Sequence, residues 1–233
     1  MPLIEPMPLA PAEEVADGAI GLWLAPVAEL LASVADPEAA LPQDEREHCR
    51  RYRHAAARRH ALAVRLLAHR ALAWLDSGHA WKIALCASGQ PHLPDSPLVI
   101  SLAHSGAWVA CALGRVAALG VDIEVIRTRP RLFAFARRFY STAEVAWLES
   151  LADAEQLAAF HDIWTLREAW LKAQGYGLRD YRRAPCTREV LAGRVPGWQW
   201  QQVIDEPGHR LALCWRADAG GQALLRLAMP SMP

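Results

Sequence analysis

Trp164-Thr165-Leu166-Arg167-Glu168-Ala169-Trp170-Leu171-Lys172, read together with Gly120-Val121-Asp122-Ile123-Glu124 upstream, decides the reading of this chain. The first stretch is the end of an amphipathic helix. Its apolar residues Leu157, Phe160, Trp164 and Leu171 fall at helical spacing, and Glu168 lies inside that stripe. A carboxylate facing a core is costly unless a cation or hydrogen-bond donors meet it. The second stretch is β-rich. It sets Asp122 and Glu124 two apart, so both project from one face of a strand. Three such carboxylates, with Lys172 one turn beyond Glu168, point to a hard-cation site beside an anionic substrate.

The elements outward from these two stretches alternate between helix and strand, which predicts an α/β (α+β) fold. Residues 19–25 form a short apolar run read as a strand. Asp44 to about Asp76 reads as one long Ala- and Leu-rich helix, preceded by Pro42. Leu98–His104 and Trp108–Leu113 read as a hairpin joined through Ser105-Gly106, and Ala117–Val125 as another strand. A short helix is expected over about 131–138. Ser141-Thr142-Ala143-Glu144 has capping-box spacing and opens a helix to about Leu151. The helix carrying Glu168 should stop near Gly175 and Gly177, and Val190–Val195, Trp198–Ile204 and Arg210–Trp215 read as short strands.

The chain of 233 residues is 53% hydrophobic, enough for one large core or two small ones and far too apolar for disorder. Its 25 basic and 25 acidic residues cancel, which argues against general nucleic-acid or membrane-surface binding. The basic charge is nevertheless concentrated. Arg46, Arg50, Arg51, Arg53, Arg58, Arg59, Arg65 and Arg70 crowd one helical segment whose expected partner is anionic. Five scattered cysteines without a CxxC pair read as reduced, mostly buried thiols rather than a disulfide framework or zinc site. No stretch approaches the ~20 apolar residues needed to span a bilayer, and the expectation is a soluble, cytoplasmic protein.

In order and spacing, Ile100-Ser101-Leu102-Ala103-His104-Ser105, Gly120-Val121-Asp122-Ile123-Glu124 and Trp164-(x)2-Arg167-Glu168-Ala169-(x)2-Lys172-(x)2-Gly175-(x)-Gly177-Leu178 resemble the 4′-phosphopantetheinyl transferases. The nearer likeness is to the monomeric, surfactin-synthetase-type branch, with Ser88-Gly89-Gln90-Pro91-His92-Leu93 similar to its Gly-Lys-Pro loop. The resemblance implies two similar α/β halves forming a pseudo-dimer, here residues 1–116 and 117–233, with coenzyme A in the cleft between them. It implies that a serine of an apo acyl, peptidyl or aryl carrier protein attacks the β-phosphate of CoA, takes the phosphopantetheine arm and releases 3′,5′-ADP. Such a reaction needs a metal to neutralise the diphosphate, a base for the serine proton and cations for the leaving phosphate.

By the same resemblance, Asp122, Glu124 and Glu168 are the metal ligands, with Mg²⁺ the ion that suits a hard oxygen site holding a diphosphate. Glu168 and Lys172 are the catalytic pair, Glu168 as ligand and candidate base and Lys172 on the phosphates. The implied CoA contacts are His48, Arg51 and Arg59 on the basic helix, Ser88, Gly89, Gln90 and Pro91 in the loop, and His104 and Ser105 at the hairpin. Asp122 and Lys172 complete them at the diphosphate. Each assignment has a plainer alternative: solvated carboxylates at a strand end, a buried glutamate paired with arginine, a surface lysine at a helix end. Glu144, acidic in relatives too, is explained here by the capping box without chemistry. Trp164 and Trp170 read as packing residues. Arg167 and Gln90 stand where the family usually has lysine. Two other functions stay open from the sequence: a CoA- or nucleotide-binding module without catalysis, and a metal-dependent diphosphate hydrolase.

Overall fold

A computed structural model describes residues 20–203, 208–216 and 225–227. Residue 19 and Ile204, at the ends of two expected strands, lie outside the described residues. The chain opens with β1 (Ile20–Pro26), α1 (Val27–Ala32), α2 (Gln43–Arg50) and α3 (Ala55–Leu75). A two-rung hairpin of β2 (Ala84–Leu85) and β3 (Pro91–His92) precedes the longer β4 (Val99–Ser105), β5 (Trp108–Gly114) and β6 (Ala118–Val125). Then follow α4 (Leu132–Phe139), α5 (Thr142–Glu149), α6 (Asp153–Gln174), a 3₁₀ turn at Leu178–Arg183 and α7 (Thr187–Leu191). The strands β7 (Trp198–Val203), β8 (His209–Arg216) and β9 (Leu225–Leu227) end the described chain. The mixture of helices with small, mainly antiparallel sheets is an α+β fold.

Two sheets organise it, ordered β4-β5-β1-β9 and β6-β8-β7. All neighbours are antiparallel except β1 and β9. Strand alternation divides the core. On β5, Val109, Cys111 and Leu113 face the α3 side, whereas Ala110 and Ala112 join Leu119, Val121 and Ile123 of β6 in an apolar layer between the sheets. The other face of β6 therefore carries Gly120, Asp122 and Glu124. Two serine hydroxyls fasten β4 to β6: Ser101 Oγ accepts from Val121 N at 3.0 Å and Ser105 Oγ from Val125 N at 3.1 Å.

Two expectations are corrected. The long basic helix is two helices, because the chain folds back at 51–54. Glu45 on α2 meets His69 at 2.8 Å and Arg65 at 3.4 Å on α3, whereas an unbroken helix would hold Glu45 and His69 about 36 Å apart. Arg58 closes the bend by donating to the terminal carbonyl of Arg50. Val190–Val195, expected as a strand, begins instead inside helix α7. Glu144 accepts the amide of Thr187 at 2.7 Å and so holds the first turn of α7, while Gly193, at φ 68°, sits in the left-handed backbone just past its end. Likewise only Gly175 takes the left-handed cap of α6; Gly177 has negative φ.

Candidate active site

Gly120 sets the geometry. A Cβ there would collide with the backbone of α6, meeting the carbonyl of Ala169 and lying 2.7 Å from Ala173 N. Without a side chain, β6 lies flat against α6. The next residue on that strand face, Asp122, comes up under the last turns of the helix, where Glu168 and Lys172 project one turn apart. Lys172 Nζ donates to Asp122 Oδ1 at 2.7 Å and to the carbonyl of Val121 at 3.1 Å.

Asp122 is buried and Glu168 half-buried. Among the described residues, Asp122 Oδ2 and Glu168 Oε1 are buried without a hydrogen-bond partner. Burial raises the Asp122 carboxyl to about 6, with Lys172 opposing and Glu124 adding. Burial first, then the negative charges of Asp122 and Glu124, opposed by Lys172, together raise Glu168 to about 7. Two neighbouring carboxylates thus share one lysine and leave two inward oxygens unmet, a donor set suited to a hard divalent cation. The third carboxylate is engaged elsewhere: Ser105 Oγ donates to Glu124 at 2.7 Å. Among the described residues no three His, Cys, Asp or Glu side chains are drawn close enough to enclose a metal ion, because Asp122 turns to Lys172 and Glu124 to Ser105.

His104 lies on the same side. Its outer part is exposed, its ring stacks on His60 at 4.8 Å, and burial, His60 and Lys172 pull it down to about 4. Gln90 reaches the site from the β2–β3 turn, where Gly89 takes φ 86°; its Nε2 donates to the carbonyl of Lys172. Ser88 and Gly89 are exposed and Pro91 half-buried in the same turn.

The structure therefore brings together Asp122, Glu124, Glu168, Lys172, His104, Ser105 and Gln90. Arg51 and Arg59 are exposed, and His48 packs edge-on against Tyr52. Burial, Arg65 and Arg51 lower the His48 imidazole. The side chain of α3 that touches the site is His60, next to Arg59, whose Nε2 lies 2.8 Å from the carbonyl of Gly106. Sequence reading passed over His60. The signal was its place at the edge of the buried stripe that continues through Ala61 and Val64.

Glu144 and Arg167 form a separate buried unit. Arg167 bonds both oxygens of Glu144, at 3.0 and 3.3 Å, and the carbonyl of Tyr181 at 2.8 Å. Ser141 completes the capping box. Burial acts to raise the Glu144 carboxyl, but Arg167 and the Thr187 and Ser141 donors outweigh it and hold it low. A fully buried, fully bonded carboxylate is structural, and the planar fork of arginine suits the place better than lysine would. Trp164 and Trp170 pack in the core cluster that also holds Phe160 and Tyr181. Cys49, Cys111 and Cys214 are buried free thiols, Cys186 is half-buried and Cys86 exposed. Among the described residues no helix is long and apolar enough to cross a membrane.

Residues 118–214 match the family model of the 4′-phosphopantetheinyl transferase superfamily. Similar proteins include 4′-phosphopantetheinyl transferase Sfp of Bacillus subtilis (strain 168), 28% identical over 73% of this chain and 80% of that protein. 4′-phosphopantetheinyl transferase HetI of Nostoc sp. (strain PCC 7120) is 29% identical over 80% of this chain and 83% of its own. 4′-phosphopantetheinyl transferase AcpT of Salmonella typhimurium is 38% identical over 49% of this chain and 57% of its own. The matched segment holds the strand of Asp122 and the helix of Glu168 and Lys172, so the candidate site lies in the part of the chain that is similar to the 4′-phosphopantetheinyl transferase superfamily.

Proposed function

We propose that this chain transfers the 4′-phosphopantetheine arm of coenzyme A to a serine of an apo carrier protein and releases 3′,5′-ADP. The observation that carries the reading is the pair of buried, unpartnered oxygens on Asp122 and Glu168 beside Lys172, inside the segment that matches the family. Asp122 and Glu168 would hold Mg²⁺, with Glu124 joining them on release from Ser105. When bound, the ion supplies positive charge to the diphosphate.

The rest is the work of side chains. Lys172 leaves Asp122 for the phosphate and stabilises the charge on the departing 3′,5′-ADP oxygen as its bond to phosphorus breaks. Glu168 would take the proton of the serine hydroxyl as the new oxygen–phosphorus bond forms. His104 and Ser105 line the phosphate side, and an arriving anion favours protonation of His104. The loop of Ser88, Gly89, Gln90 and Pro91 borders the nucleotide, and His48, Arg51 and Arg59 lend positive charge toward its 3′-phosphate. Residues 1–116 and 117–233 act as the two halves of one site. That a single chain supplies both His104 and Glu168 supports a monomer, and five unpaired thiols fit a reducing cytoplasm.

The test is the intact mass of an apo carrier protein after incubation with the chain, CoA and Mg²⁺, beside Asp122→Ala and EDTA controls. A gain of one phosphopantetheine arm, absent from both controls, is expected. No gain on acyl, peptidyl and aryl carriers alike, with CoA still bound, would overturn the transferase reading in favour of a binding module.

A further inference from the structure

His104, near the end of β4, has its outer part exposed, and among the described residues neither of its ring nitrogens is hydrogen-bonded. Left to itself, such an imidazole turns easily about its outer side-chain torsion. His60 of α3 removes that freedom. The two rings stack with centres 4.8 Å apart and planes inclined by 10°. His60 is half-buried and is tied down in its turn: its Nε2 lies 2.8 Å from the carbonyl oxygen of Gly106. A carbonyl accepts and cannot donate, so this nitrogen carries the proton. Gly106 is a firm anchor. It takes φ 58°, and a Cβ on it would lie 3.1 Å from His209 Nε2 and 3.3 Å from Val125 Cβ, at the paired ends of β8 and β6. Its neighbours are fastened too, Ser105 to Glu124 and Val125, and the carbonyl of Ala107 to Val27 N at 2.8 Å.

We propose that His60 is a positioning residue for the CoA diphosphate: its ring is the platform that holds the His104 imidazole edge-on to the phosphates. The role rests on the transferase reading, which supplies those phosphates. His60 acts through His104, and its bond to Gly106 keeps the platform in place. A ring already held in one plane loses little freedom when an anion arrives, so less of the contact energy goes into ordering it. A structural role alone, the pinning of α3 to the β4–β5 turn, needs the bond to Gly106 but not parallel rings. The parallel stack is what carries the assignment.

The test is a double-mutant cycle read by calorimetry of CoA binding with Mg²⁺ and no carrier, on the native chain, His60→Gln, His104→Ala and the double variant. Glutamine keeps an N–H for Gly106 and lacks the ring. CoA binding by His60→Gln is expected to weaken about fivefold, the order of a lost ring–ring contact. In the His104→Ala background the same change should have no further effect beyond about twofold. His60→Phe, which restores a flat ring, should bind CoA within about twofold of native. On an apo acyl carrier protein, KM for CoA should follow these affinities while KM for the carrier stays within about twofold. Native CoA affinity in His60→Gln would overturn the proposal. So would an equal loss in both backgrounds, which would make His60 a brace for the fold, or a loss in His60→Phe as large as in His60→Gln. Failure of the native chain to modify any carrier, with the cycle still non-additive, would sink the transferase reading and leave the positioning role standing. Labelling by the native chain with an additive cycle would do the reverse.

Discussion

Lys172 Nζ and Asp122 Oδ1 stand 2.7 Å apart across the contact between α6 and β6, and this pair joins the two elements on which the chemistry depends. The lysine is the only cation bonded to a buried carboxylate whose other oxygen is unpartnered and whose neighbour, Glu168, is likewise unmet, among the described residues. Replacing Asp122 with Asn keeps the shape and removes the charge. Carrier labelling by the variant should fall about 100-fold or more, in line with the loss of a charged group at a reacting phosphate. Its far-ultraviolet dichroism should match the native chain, and labelling within tenfold of native would contradict the assigned role.

Gly120 permits the approach that makes this pair possible. Gly120→Ala drives a methyl group into the backbone of α6, which cannot yield as a flexible side chain would. A loss of about 1–3 kcal/mol is expected from overpacking, together with reduced labelling as Lys172 and Asp122 are forced apart. Denaturant unfolding measures the first effect; a stability equal to native would show that the helix gives way without cost.

Glu144 and Arg167 should behave as a structural pair. Glu144→Ala leaves a guanidinium buried and uncompensated, and about 3–5 kcal/mol of stability should be lost. Glu144→Gln, assayed at a temperature where it is still folded, should keep the native pH–rate profile. A lost acidic limb in that profile would instead make Glu144 the proton acceptor.

His161 provides a pH signature. It is fully buried against Arg127, and burial, aided by Arg129 and Arg210 and opposed by the Arg127 backbone and Glu124, lowers its imidazole from 6.5. A histidine depressed in the folded state contributes stability that is complete above its unfolded value of 6.5 and is lost as pH falls below it. The melting temperature of the native chain should therefore drop more steeply between pH 7.5 and 5 than that of His161→Gln. Parallel slopes would refute the assignment.

The parts of the fold legible in sequence were those with a short-range signal. The capping box at Ser141 and Glu144, the alternation that puts Asp122 and Glu124 on one face of β6, and the left-handed stop at Gly175 each depend on a few neighbouring residues. What escaped depends on distant partners. The break between α2 and α3 is set by Glu45 finding His69, 24 residues away, and the helix at Thr187 by Glu144. His60 shares its segment with many basic residues, and its contacts with His104 and the Gly106 carbonyl are long-range ones that its neighbours in sequence do not announce. In the sequence Arg167 stands as a variant of a lysine position; its buried fork to Glu144 and Tyr181 appears only in three dimensions.

The parallel pairing of β9 with β1 has a consequence for how the protein is made. The first described strand receives its second neighbour only when residues 225–227 have been synthesised. During translation one edge of β1 stands open with its backbone groups unmet, a template for wrong partners. A chain that stalls or is clipped before Leu225 would thus carry a complete set of site residues on a scaffold prone to stick to its neighbours. Its failure would register as aggregation rather than as a defect of catalysis.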